Sequence, residues 1–118
     1  MSITRFFILL TAVVMVAGCA AQKPTPDPLA GFHWSSLVNL ANNKAITDDY
    51  EAYIQTLSPE EKKYLGPSPI RYFEDRSGQH AVEIREGLNG TVWEHVLIYD
   101  KNDKRIKTVR YAAGHYAC

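Results

Sequence analysis

The chain has 118 residues, room for one domain but not two, and its 46% apolar and 22% charged content is that of a globular protein. Thirteen Lys and Arg against 13 Asp and Glu leave no basic excess, which argues against a nucleic-acid binder held by phosphate contacts. Two cysteines exclude a disulfide scaffold and an all-cysteine zinc site, and ordinary Gly and Pro content excludes a collagen-like or low-complexity chain.

Arg5 precedes an uncharged apolar run from Phe6 to Val16. As a helix that run covers roughly half of the ~30 Å hydrocarbon core, so it suits the apolar region of a signal peptide better than a membrane span. Val16-Ala17-Gly18-Cys19 follows and resembles the lipobox of bacterial lipoproteins. The resemblance implies cleavage between Gly18 and Cys19, and a lipidated Cys19 as the mature N-terminus. Its acyl chains would pass the two-signal threshold for stable anchoring. Residue 20 is Ala rather than the Asp that marks inner-membrane retention, which points to the periplasmic side of the outer membrane in a Gram-negative host. Losing residues 1–18 removes Arg5 alone from the charge count, leaving 12 basic against 13 acidic residues in a 100-residue chain.

Residues 19–30 read as the lipidated cysteine and a tether. Pro24, Pro26 and Pro28 alternate, favour extended chain and space the domain about 25 Å from the bilayer. Residues 31–118 form the expected globular domain. Asp27-Pro28 is a candidate helix start, with Phe32, Trp34, Leu37, Val38 and Ala41 as its apolar stripe and Asn42-Asn43 as its end. Thr47 is a candidate second N-cap, with Asp48 and Asp49 in the first turn and Tyr50, Tyr53, Ile54 and Leu57 as a stripe. Ser58-Pro59-Glu60-Glu61 predicts a capping box with Pro in the first helical position, closed by Leu65-Gly66 and stopped by Pro67.

From Ile70 the apolar period becomes two, predicting strands over 70–75, 79–88, 91–99 and 104–112. Asp75–Gly78, Asn89-Gly90 and Asp100–Lys104 supply three hairpin turns. The expected fold is therefore α+β, two or three short helices followed by a four-stranded antiparallel meander. In the register these turns imply, Ile84 faces His95, Val82 faces Leu97 and Arg85 faces Glu94. Across the last turn Val109 faces His95 and Arg110 faces Glu94. The face expected under the helices carries Ile70, Tyr72, Val82, Ile84, Trp93, His95, Leu97, Val109 and Tyr111. The other carries Phe73, Glu83, Arg85, Glu94, Val96, Ile98, Ile106, Thr108 and Arg110.

That second face joins a charge row to apolar neighbours, which suits a partner-binding surface made by Arg85, Glu94, Val96, Ile98, Ile106 and Arg110. The competing reading is a second core layer beneath a Trp34-bearing helix. Catalytic signals are weak: there is no nucleophile elbow and no phosphate loop, and Asp48-Asp49 and Glu60-Glu61 are explained by helix capping. No enzyme and no cofactor is expected. His80 and His95, with Glu74, offer a metal alternative against which a core histidine and a rim ion pair weigh more. Cys118, with Cys19 lipidated, lacks a partner within the chain, so a disulfide to another copy or another protein is open. An unlipidated form could instead close Cys19 to Cys118.

Leu57-Ser58-Pro59-Glu60-Glu61, Leu65-Gly66, Pro67 and Pro69, together with Trp93–Tyr99 and the Asp100–Lys104 turn, resemble the SmpA/OmlA family of outer-membrane assembly lipoproteins over about residues 57–111. The Gly-Met-Thr start of that family's helix is absent. The resemblance implies an accessory scaffold that binds other envelope proteins. Protein–protein contact in the envelope is thus the expected role. An immunity or inhibitor lipoprotein acting on a periplasmic toxin or hydrolase is the first alternative, and a small-ligand or metal binder the second.

Overall fold

A computed structural model describes residues 26–65, 71–88 and 90–115, with backbone alone at 88, 114 and 115. The lipobox, most of the tether, Gly66 to Ile70, Asn89 and Cys118 lie outside the described residues. Five strands form one antiparallel sheet in chain order: β1 His33–Ser35, β2 Arg71–Glu74, β3 His80–Leu88, β4 Thr91–Tyr99 and β5 Arg105–His115. Among the described residues, three helices stand between β1 and β2: α1 Leu37–Ala41, α2 Lys44–Thr56 and α3 Pro59–Lys63. The α+β class and the four-strand meander are as expected, and a fifth strand precedes them.

The extra strand replaces the first half of the expected first helix, whose second half is α1, ending at Asn42 as expected. Asp27 to Gly31 make tight turns, with Ala30 N–H donating to the Asp27 carbonyl at 3.0 Å and Phe32 N–H to the Leu29 carbonyl at 3.0 Å. Gly31 takes a φ of +84°, which ends any helical run. Phe32 and Trp34 then follow the two-residue period of a strand, and Trp34 pairs with Phe73. Helix α1 begins only after Ser36, whose side chain accepts from Asn39 N–H. The start of α2 also differs from expectation. Asn43 caps it, accepting from Ile46 N–H at 3.2 Å, so Thr47 and Asp49 lie inside the helix. Asp49 accordingly reaches across to the sheet, where it accepts from the Tyr99 hydroxyl at 2.7 Å and pairs with Arg105.

The capping box at Ser58 is present in full: Ser58 Oγ accepts from Glu61 N–H and Glu61 Oε1 from Ser58 N–H, both at 3.1 Å. The three hairpins also follow the sequence reading. Asp75 and Asp100 play the same part in their loops, each side-chain oxygen accepting from backbone N–H groups two and four residues on. Gly78 has φ +89° and Asp103 has φ +63°, the left-handed residue that closes each three-residue loop. Leu88 pairs with Thr91, so β3 and β4 are joined by two residues, the second being Gly90 at φ +78°.

The β3–β4 register is the expected one, with Val82 opposite Leu97, Ile84 opposite His95 and Arg85 opposite Glu94. The β4–β5 register starts as expected at Tyr99 and Arg105 and then slips by one residue. One irregularity falls between Ile98 and Tyr99, which pair with Lys107 and Arg105 and leave Ile106 without an opposite residue, and a second falls at the far end between Val92 and Trp93. A one-residue bulge sends every following side chain to the other face. His95 therefore faces Arg110 rather than Val109, and Glu94 faces Tyr111 rather than Arg110. Val109 and Tyr111 leave the helix-covered face, Thr108 and Arg110 join it, and Ile106 is exposed at the bulge.

Both faces of the sheet are cores. Under the helices, Leu40, Ile46, Tyr72, Val82, Ile84, Leu97 and Tyr99 pack together, with Tyr50, Tyr53, Ile54 and Leu65 against them. On the opposite face Phe73, Ala81, Val96, Ile98 and Tyr111 form a second cluster, covered by Leu29, Phe32, Val109 and Ala113. The cover is the turn segment before β1, not a Trp34 helix. Ile98 is only 6% exposed, and a carboxylate there would be buried without a partner. Ile98→Asp is expected to cost about 3 kcal/mol or more in urea denaturation. A cost within 0.5 kcal/mol, the size of a surface substitution, would show that this face is open.

Candidate functional site

Strand β4 carries adjacent buried polar residues that point to opposite faces, Glu94 and His95. Each is the centre of an ionic network. On the face away from the helices, Glu94 Oε1 accepts from Arg85 Nε at 2.8 Å and from Arg71 at 3.5 Å, while Oε2 accepts from the Tyr111 hydroxyl. Arg71 also meets Glu83, and Arg85 stands 3.8 Å from it, so two guanidinium groups face two carboxylates. Burial and the hydrogen bond to Glu94 push the Tyr111 phenol well above its usual value, keeping it a donor at any ordinary pH. Burial and the neighbouring Arg85 pull Arg71 somewhat down. These groups satisfy one another, as buried charges must.

On the helix face, His95 is fully buried. Its Nδ1 lies 2.7 Å from the Tyr53 hydroxyl on α2, and its Nε2 lies 3.0 Å from Glu86 Oε1 on β3. Arg110 from β5 donates to the same Glu86 oxygen at 2.9 Å and lies with its guanidinium 3.9 Å from the centre of the Trp93 ring. It also stands 3.6 Å from Glu61 Oε2 on α3. Glu61, Glu86 and His95 each present a ligand atom, all within 4.8 Å of one another. The hydrogen bonds of the Ser58 cap hold the Glu61 carboxyl below its usual 4.5.

The six residues expected to share one binding face are thus divided. Arg85 and Glu94 meet, Val96 and Ile98 are buried behind them, Ile106 is exposed at the bulge, and Arg110 belongs to the helix-side network. His80 and His95 do not come together. His80 bonds the Tyr72 hydroxyl at 2.6 Å, with Glu74 and Asp103 each 3.8 Å away, the expected rim arrangement extended by one acid. Glu61 and Glu86 were missed as partners of His95. Glu61 reads from sequence as a helix cap and nothing more, and the inward turn of Glu86 follows only from counting two residues on from Ile84. Gly18, Cys19 and Cys118 lie outside the described residues. Among the described residues no helix is long and apolar enough to cross a membrane.

Three large apolar side chains lie open on the short edge strand and the helix that follows it: Trp34 at 67%, Leu37 at 50% and Val38 at 68% exposure. Comparison with known proteins finds no match to a family model, to a curated protein or to a solved structure.

The Ser58 cap positions Glu61, so its removal has a readable cost. Ser58→Ala is expected to destabilise the fold by about 1 kcal/mol at pH 7 in urea denaturation. The cap lowers the Glu61 pKa in the folded state, so its stabilisation is present above the unfolded value and fades as pH falls through the lowered one. The difference between wild type and Glu61→Ala, which removes that carboxylate, should therefore narrow below pH 4.5, and a gap that widens there would contradict the assignment.

Proposed function

We propose that the chain is a lipid-anchored envelope protein, held through Cys19 on the periplasmic side of the outer membrane, that acts by protein–protein contact and not by catalysis. The observation that carries the contact reading is the apolar patch of Trp34, Leu37 and Val38, half to two-thirds exposed on a domain that fills both faces of its sheet. Trp34 packs edge-on against Phe73 and under the Arg71 guanidinium, yet most of its surface stays open, as does half or more of that of Leu37 and Val38. Trp34 lies in β1, the three-residue edge strand, and Leu37 and Val38 in α1 just after it, where an approaching partner meets both backbone and aromatic surface.

Anchoring rests on Val16-Ala17-Gly18-Cys19 and on the apolar run before it. The alternating prolines favour an extended tether that would keep the domain clear of headgroups. A face near the tether would meet partners lying close to the membrane surface.

The test places a photo-crosslinking amino acid at position 38 in intact cells. The expected result is a discrete adduct in the membrane fraction, lost on Val38→Asp at unchanged thermal stability, since a substitution at so exposed a site changes stability by no more than about 0.5 kcal/mol. Cys19→Ala is expected to move the protein out of the membrane fraction. No adduct at position 38, or a Cys19→Ala protein that still sediments with membranes, would contradict the corresponding half of the proposal.

A further inference from the structure

The meeting of α3, β3 and β4 leaves an electrostatic problem that the protein's own groups do not close. Glu86 is buried, its side chain 0% exposed, and its Oε1 takes both the His95 contact and the Arg110 guanidinium. Its Oε2 is equally buried and has no hydrogen-bond partner. The other buried oxygen without a hydrogen bond, on Glu83, lies against Arg71, so Glu86 Oε2 alone among the described buried side-chain atoms has neither a hydrogen bond nor an ion pair. A carboxylate oxygen removed from water without a donor is costly.

The neighbour of Glu86 makes the problem sharper. Its carboxyl and that of Glu61 come within hydrogen-bonding reach of each other. Two carboxylates are both acceptors, and in contact they hold together only around a shared proton or a cation. Arg110 supplies one positive charge to the pair, from the side of Glu86 Oε1.

We propose that Glu61, Glu86 and His95 form a binding site for a divalent transition-metal ion of the zinc class. One imidazole nitrogen and two carboxylates are a donor set for such an ion, with a fourth position left for water or a partner's side chain. Calcium and magnesium are disfavoured by the nitrogen ligand and by the small number of oxygens. Ligand atoms of the three residues lie within 4.8 Å of one another, and Glu86 Oε2, which has no donor of its own, is the carboxylate oxygen left to take an ion. Tyr53 holds the other ring nitrogen, the outer contact that fixes which nitrogen of a ligating histidine turns to the metal. On binding, His95 gives up its Nε2 proton and carries one on Nδ1 instead, so the ring stays neutral, and the Nδ1–H donates a hydrogen bond to the Tyr53 oxygen. Glu61 is the adjustable ligand: it sits on a five-residue helix, with its side chain 21% exposed. Binding there would tie α3 to the sheet, and the inference stands independently of the protein-contact reading.

The test uses the full-length protein in detergent, stripped with EDTA and titrated with ZnCl2 by calorimetry and thermal melting. Wild type is expected to bind one Zn²⁺ per chain at this site with a rise in Tm, and MgCl2 to produce none. Glu86→Gln is isosteric and gives Glu61 an amide donor, so it should match or exceed the wild-type Tm in EDTA while losing the Zn²⁺-dependent rise. Its affinity should fall by more than the 10–100-fold typical of an outer-shell loss. If Glu86→Gln does not fold, Glu61→Gln decides, because Gln retains the capping acceptor. A wild-type Tm indifferent to Zn²⁺, or a folded Gln variant with the wild-type stoichiometry and Tm rise, overturns the proposal.

Discussion

The pairing of β3 with β4 is the constraint from which the rest of the domain follows. A two-residue connection with Gly90 in the left-handed region sets Arg85 against Glu94 and Ile84 against His95. Because a strand alternates, that register sends Glu94 to one face and His95 to the other. Both faces are buried, so each polar residue has to be matched from other strands and helices. Glu94 is answered by Arg71, Arg85 and Tyr111, and His95 by Tyr53 and Glu86. Such networks add little net stability over an apolar core, but an unmatched member is expensive, which makes slipped registers unfavourable.

The bulge at Ile106 shows how much one residue decides. Without it, Arg110 would stand beside Glu94, where Arg71 and Arg85 already supply two guanidinium groups, and Tyr111 would lie under the helices. With it, Tyr111 closes the Glu94 network and Arg110 reaches Glu86 over Trp93. Position 106 is itself exposed, so an apolar residue is left open to water for the sake of the strand beyond it.

Much of this was legible from residue order alone. The Ser58 capping box, the strand limits to within one to three residues and the β3–β4 register all rest on local signals: a cap, a two-residue period and a turn that needs positive φ. The strand at His33–Ser35 was hidden because Phe32, Trp34, Leu37 and Val38 also fit a helical stripe, and the break depends on Gly31. The β4–β5 slip had no local signal, since Ile106 continues the alternation of its neighbours. The candidate site suffered most from that slip. Moving Arg110 and Tyr111 across the sheet split the expected binding row and brought Arg110 to Glu86 on the helix side.

The register of β5 is therefore the most direct test of the account. Isotopically labelled protein in detergent micelles would report it through backbone proton contacts between the strands in NMR. Contacts from His95 to Arg110 and from Glu94 to Tyr111 are predicted. Contacts from His95 to Val109 and from Glu94 to Arg110 would contradict it, because they return Arg110 to the far face and take it away from Glu86.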